Sequence, residues 1–419
     1  MNILSNRFFF FIISIIYRLL LDYSYIKYVV EIFSGAGFKY HLTINSYLIS
    51  WVITILLITV TPKKLSNPSD LFSSLGTYSL LFPMLTMYGL NSNLSVFAVL
   101  ASVLSICAVQ FIAKFKEIKA PAVPVFLNGE KYFYKISMLM VILLLIWLVA
   151  SGGIFNFNLD LTKVYDFRKT NSEIINIGFF AYFNSWVMQI FSICLFSYGL
   201  WKKRYGLVAF ALLCQIIFFG VSAHKAILFL PIIVLAFYVY LKNTDSLTTI
   251  PLLFSFVIFM SMLAFYFNEK SLLPNLFVRR NFFVPAYLSF IYFDFFSKNP
   301  FSFWTGSVFN PFMVDQYSQP ITKVVGDWMG YEELNANNGY ISSGYAQAGL
   351  FGVMIYTFIL GVYLRWLNIF SRKVEYQWLV AALMLTPFRN LILASDLPTV
   401  FVTHGLIIAT VMILFLRKK

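Results

Sequence analysis

Long apolar runs separated by short polar punctuation recur from end to end of this 419-residue chain. A helix needs about 20 residues to cross a bilayer. On that measure the pattern predicts roughly twelve spans, near 8–28, 44–61, 71–90, 95–113, 133–150, 176–200, 206–221, 224–241, 250–267, 345–363, 377–393 and 397–416. The tightest connection is FFGVSAHK, between the two short spans at 206–241. The short alternating segments of a membrane β-barrel are absent. So are an internal repeat and the two matched helix breaks of an inverted-repeat transporter. The expected fold is an all-α, polytopic transmembrane bundle, one integral membrane domain over 1–419.

Two polar stretches interrupt the rhythm, 151–176 and 268–344. The second lies between the ninth and tenth spans and dominates the non-membrane sequence. It carries Arg279 and Arg280, then the aromatic run FFVPAYLSFIYFDFF, then the Asn/Gly-rich close NANNGYISSG. An interfacial helix beginning near Pro285, with Phe, Tyr and Trp at headgroup level, fits that run.

Composition agrees with the pattern: 60% of residues are hydrophobic, 11% are charged and Phe alone numbers 48. The exterior of a soluble domain of this length must meet water and has no use for so much apolar surface. The net charge of +14 suggests nucleic acid only in a soluble protein. Here it follows from the excess of Lys and Arg in cytoplasmic loops, and no nucleic-acid partner is expected. Lys63/Lys64, Lys114 to Lys119, Lys202 to Arg204, Lys242, Arg365 to Lys373 and Arg417 to Lys419 fall on one side of the predicted spans. That side is expected to be the cytoplasm and to hold both termini, so 151–176 and 268–344 face the periplasm or cell exterior. Cys107, Cys194 and Cys214 lie in apolar runs and form neither a disulfide framework nor a metal cluster. Phe8 to Tyr17 lacks a following small-residue cleavage site and is expected to be a retained helix.

Cations left on the outer side run against the topology bias and are the informative ones. Arg279 and Arg280 either anchor a helix to lipid phosphates or clamp a diphosphate, since guanidinium forks match phosphate oxygens two at a time. Lys225, after His224 in GVSAHKA, is near membrane depth, where it either snorkels to water or binds a ligand. Arg389 in LTPFRNLILASD is either an ion-pair partner of Asp396 or a ligand contact. Arg18 and Asp22 share a helix face and are expected to neutralise each other. His404, in the last span, is either packed by a hydrogen bond or a base. Gly344, Gly349 and Gly352 are expected to serve close helix packing, while Asn337 and Asn338 stand where they can hydrogen-bond sugar hydroxyls. A Gly-rich phosphate loop, HExxH, G-x-S-x-G and an outer-loop Asp-x-Asp are all missing, so no cofactor and no metal are expected.

The stretches GVSAHKAILFLP, LFVRRNFFVPAYLSFIYFDFFSKNP and NNGYISSGYAQAGLFGVMIY, with the span layout and dominant outer loop, resemble bacterial O-antigen polymerases of the Wzy type. The resemblance implies a glycosyltransferase of the bacterial inner membrane with its active site facing the periplasm. It implies a substrate of undecaprenyl-diphosphate-linked oligosaccharide and a neighbouring chain-length regulator. Some such polymerases pair an Arg with a downstream Gly in each of two loops; Arg168 and Gly178 resemble this, with a spacing that does not match. The expected cationic set is Arg280, Arg279, Lys225, Arg168 and Arg389, holding the diphosphate as its charge develops. Asn337, Asn338, Tyr292, Asp294 and Trp304 are the expected substrate contacts, with Glu173, Asp294, Asp315 and His404 as open choices for a base. The rival readings are a flippase for lipid-linked oligosaccharide and an O-antigen ligase.

Overall fold

The computed structural model describes residues 6–160, 171–306, 314–331 and 334–418; these form helices and connections without a β-strand. In chain order the helices are α1 Arg7–Ala36, α2 Ile44–Val60, α3 68–90, α4 Val96–Lys114, α5 Gly129–Ala150, α6 Phe180–Trp201 and α7 Tyr205–Ser222. There follow α8 Lys225–Thr244, α9 Thr249–Phe267, α10 274–298, α11 Ile321–Trp328, α12 Tyr340–Ser371, α13 Gln377–Leu393 and α14 Leu397–Phe415. Among the described residues nine helices, α1, α4 to α9, α12 and α14, are long and apolar enough to cross a membrane. The chain is a multi-pass helical membrane protein. Helices also occupy the remaining three predicted positions: α2 and α13 are shorter apolar helices, and α3 is buried along its whole length.

Helix α2 shows why the bundle is built for lipid. It turns Ser46, Ser50 and Thr54 inward and leaves Leu48, Val52 and Leu56 exposed, the reverse of a helix in water. The inward hydroxyls have a purpose. Ser50 and Thr54 accept from the fully buried Arg18 at 3.1 and 2.7 Å, and Asp22 pairs with Arg18 at 2.8 Å. The predicted Arg18–Asp22 pair is thus a neutralised, hydrogen-bonded unit inside the bundle.

The loops rich in Lys and Arg meet at one end. Lys114 pairs with Asp70 at 2.9 Å, Lys202 with Glu130 and Lys418 with Glu375 at 2.5 Å, and Arg365 donates to the carbonyls of Lys116 and Ile118. The other end gathers 37–43, 91–95, 151–158, 171–178, 220–224 and the long segment after α9, tied by contacts such as Asn158 N–H to Gly220 carbonyl at 2.9 Å.

That long segment is largely helical. Helix α10 starts at Pro274, so Arg279 and Arg280 lie inside it, rather than ahead of a helix starting near Pro285. Pro285 has no N–H for an α-helical bond, and the chain arrives there in wide π-type turns in which the Val284 N–H reaches back to the Arg279 carbonyl. Along α10, Phe277 meets Phe229 of α8 at 5.4 Å, Phe282 meets Phe254 of α9 at 5.1 Å and Tyr17 of α1 at 6.0 Å, and Phe293 stacks on Tyr345 of α12 at 4.0 Å. Partners that change along the helix mean that α10 runs across the bundle instead of alongside one neighbour.

After α11 the chain turns into the bundle. Tyr292 donates to the Ala336 carbonyl at 2.8 Å, and Gly339 lies so close to the carbonyls of Leu391 and Ile392 that a side chain has no room there. Helix α12 begins at Tyr340, not near 345, and breaks at Ala348 and Gly349; Gly349 has φ 60° and ψ −143°, a conformation open only to glycine. Gly344 and Gly352 would stand roughly 12 Å apart in a straight helix. Here a Cβ on Gly344 would be 3.0 Å from the Gly352 carbonyl, so the first piece of α12 folds back against the second. Small residues permit that approach, as the sequence led us to expect.

Candidate functional site

The break in α12 frees backbone carbonyls, and the segment after α10 takes them. Ser302 and Phe303 N–H donate to the Ala346 and Gln347 carbonyls at 3.0 and 2.9 Å, and Trp304 N–H donates to the Gln347 side chain at 2.7 Å. This holds Phe303 and Trp304 at φ 48° and 59°, a left-handed backbone that aromatic residues rarely adopt. Trp304 is thereby aimed at Tyr356, to whose hydroxyl its indole N–H donates at 2.9 Å. The hydroxyl of Tyr356 in turn faces the carboxylate of Asp396, just ahead of α14.

Helix α13 supplies the next part. From Trp378 to Leu393 every side chain is buried except Thr386, which is half-buried, and Arg389, which is open. Yet Arg389 is surrounded by protein. Its one hydrogen bond to a described residue is to Asn390 at 3.3 Å, and of its two expected roles the ion pair with Asp396 is not formed. His404 lies within electrostatic reach of Arg389 where α14 is interrupted between Val402 and Leu406, with Gly405 at φ 72°. The Nδ1 atom of His404 is buried and finds no hydrogen-bond partner. A guanidinium with no carboxylate partner among the described residues thus lies within electrostatic reach of an imidazole whose Nδ1 is unsatisfied.

Lys225 stands at the same depth. Helices α8 and α13 run antiparallel and meet where the Tyr238 ring packs on Trp378 at 5.0 Å. Thirteen residues along α8 lead to Lys225 and eleven along α13 lead to Arg389, or roughly 20 and 17 Å at 1.5 Å per residue. The Phe229–Phe277 contact brings the first turn of α8 against the part of α10 that holds Arg279 and Arg280. The two arginines then diverge. Arg279 lies over the Phe33 ring at 4.2 Å and donates to Asn275 at 2.8 Å, which ties it to α1. Arg280 is the more open of the two. Burial lowers the proton affinity of both guanidinium groups, but from so high a value that both stay charged.

The remaining expected residues separate cleanly. Asn337 is open although its neighbours Ala336 and Asn338 are 0% and 2% exposed, and Gly339, two residues on, packs on the outer end of α13. Asn338 is not free for a sugar: its amide donates to Ser289 and Ser342 at 3.2 and 3.0 Å, and its oxygen accepts from Gly339 N–H. Tyr292 is fully buried and anchors the inturned segment through Ala336. Asp294 is exposed and paired with Lys298 at 2.6 Å, one helical turn away. Asp315 is exposed and accepts from Thr305 at 3.1 Å, and Glu173 is exposed. Arg168 lies outside the described residues, and Gly178 adopts φ 54°.

Sequence reasoning missed Asp396 as a group in its own right. Burial pushes its carboxyl up to about 6, and the Tyr356 hydroxyl and the Leu397 N–H, at 2.8 Å, hold that rise in check. Its signal in the sequence was faint: an acid before Leu-Pro, as an N-cap would be. Comparison of the chain with protein-family models, curated proteins and solved structures found no match.

Proposed function

We propose that this protein is a membrane glycosyltransferase that joins lipid-diphosphate-linked oligosaccharides, an O-antigen polymerase with its site at the outer end of the bundle. The observation that carries the reading is Arg389: an open guanidinium on an otherwise buried helix, with no carboxylate partner among the described residues. A cation held at that depth calls for an anionic ligand, and a lipid-linked diphosphate delivers one at the membrane. The diphosphate is also a ready leaving group, so catalysis needs positioning and stabilisation of its developing charge more than any new covalent chemistry. Arg389, Lys225 and Arg280 fill that role, with His404 beside Arg389. Asn337 and Trp304 line the approach for sugar. The Lys/Arg-rich end faces the cytoplasm by the loop-charge rule, which turns the site to the periplasm of a bacterial inner membrane. A chain-length regulator is the expected partner.

The helix interruptions in α12 and α14 are also features that transporters use, which keeps a lipid-linked oligosaccharide flippase as the second reading. The lipopolysaccharide ladder of a strain deleted for this gene separates them. Collapse to core plus one repeat, restored by the gene, supports polymerase. Loss of every repeat supports flippase or ligase, and an unchanged ladder removes all three.

A further inference from the structure

Among the described residues three carboxylates are shielded from solvent: Asp22, Asp70 and Asp396. The first two pair with Arg18 and Lys114. Asp396 pairs with no cation among the described residues. The polar groups beside it are donors. An indole N–H can only donate, so Trp304 commits the Tyr356 oxygen as acceptor and leaves the tyrosine's own proton for the carboxylate it faces. The Leu397 N–H binds Oδ1 at 2.8 Å. A carboxylate has about four lone-pair positions, so the Leu397 N–H leaves capacity for others. Tyr292 of α10 also lies within electrostatic reach, and its hydroxyl is spent on Ala336, next to the open Asn337. Asp396 is thus linked through Tyr292 to Ala336, the neighbour of the exposed Asn337, beside the outer end of the helix that carries Arg389.

We propose that Asp396 is the base that takes the proton of the acceptor sugar hydroxyl. This rests on the glycosyl-transfer reading above. As the hydroxyl oxygen forms its bond to the anomeric carbon, its O–H bond breaks and the proton passes to Asp396. The bond from the anomeric carbon to the diphosphate breaks with its electron pair, and the lipid diphosphate leaves against Arg389 and Lys225. The proton then passes to water or to the departing diphosphate. No oxidant or metal enters the balance.

The test uses the full-length protein in detergent or liposomes with undecaprenyl-diphosphate-linked oligosaccharide extracted from the deletion strain. Wild type, Asp396→Asn and Asp396→Glu are assayed for chain extension between pH 5 and 8. Asn also caps helices well, so the first variant keeps the start of α14. The expected result is a loss of about 10²- to 10⁴-fold for Asp396→Asn at unchanged thermal stability. Partial activity in Asp396→Glu, and an acid limb that is present in wild type and gone from the residual Asn activity, complete the expectation. Wild-type rates in Asp396→Asn, or the same acid limb, overturn the base while leaving the polymerase reading intact. No extension by wild type, in a preparation that retains its fold, overturns both.

Discussion

Tyr238 and Trp378 meet ring to ring at 5.0 Å, and this contact sets the register by which Lys225 and Arg389 reach the same depth on adjacent helices. On the proposed function, these two cations at one level on antiparallel neighbours share one polyanion. Each Ala substitution is expected to lower chain extension by about 10²- to 10³-fold, the loss seen when one donor to a developing negative charge is removed. The double variant is expected to lose less than the product of the singles, because groups acting on one ligand are coupled. Rates of the two singles and the double, at matched membrane abundance, check this. A strictly multiplicative loss places the two cations on different ligands.

The Arg18–Asp22 pair has a structural role, and its removal is expected to appear in stability. Arg18→Met leaves Asp22 as an uncompensated buried charge, and breaking a buried pair in this way costs about 3–5 kcal/mol. Thermal unfolding in detergent is expected to show a large fall in Tm with Arg18→Met. The paired replacement of Arg18 and Asp22 by Met and Leu is expected to recover much of it. Equal Tm values for wild type and Arg18→Met place the pair's contribution elsewhere.

Gly349 is the hinge of the α12 fold-back. Alanine there must adopt φ 60° and ψ −143°, and its Cβ would stand 2.9 Å from the Phe301 ring. Strain of about 1–3 kcal/mol is expected from the backbone alone. Because the same break feeds its carbonyls to Ser302 and Phe303, Gly349→Ala is expected to reduce activity further than its loss of abundance explains. Chain extension normalised to folded protein checks this.

Much of the frame was legible in the sequence. Twenty-residue apolar runs have few other uses, and Arg18 and Asp22 at four-residue spacing announced their pair. What stayed hidden depends on contacts between distant segments. NANNGYISSG reads as two adjacent asparagines at a loop mouth; only the fold shows Asn338 spent on Ser289 and Ser342 while Asn337 stays open. Pro285 reads as a helix start, and the π-type turns that carry α10 through it from Pro274 leave no mark in hydropathy. Asp396 looked like a partner for Arg389 at seven residues' distance, yet α13 ends between them and each faces different neighbours.

Orientation is open to a direct check. Single cysteines at Ser271 and Lys203, in a background lacking Cys107, Cys194 and Cys214, sit at opposite ends of the bundle. A membrane-impermeant thiol reagent is expected to label position 271 in intact spheroplasts and position 203 only after permeabilisation. The reverse pattern turns the site to the cytoplasm and removes the periplasmic reaction.

The pH behaviour of Asp396 ties stability to activity with a definite sign. Its folded value of about 6 lies above the ordinary 3.8, so the folded protein holds this proton more tightly than the unfolded chain. The contribution to stability is full below about pH 4 and is lost as pH rises to about 6, a difference on the order of 2–3 kcal/mol. Above that range the ionised carboxylate is retained at the expense of stability, as functional groups often are. Tyr356→Phe removes a hydroxyl that holds the carboxyl's proton affinity down, so the affinity is expected to rise further. The acid limb of the chain-extension profile is then expected to move to higher pH, with the rate at pH 8 falling less than the rate at pH 6.5. A limb that stays in place shows that the group titrating in the reaction is not the one Tyr356 faces.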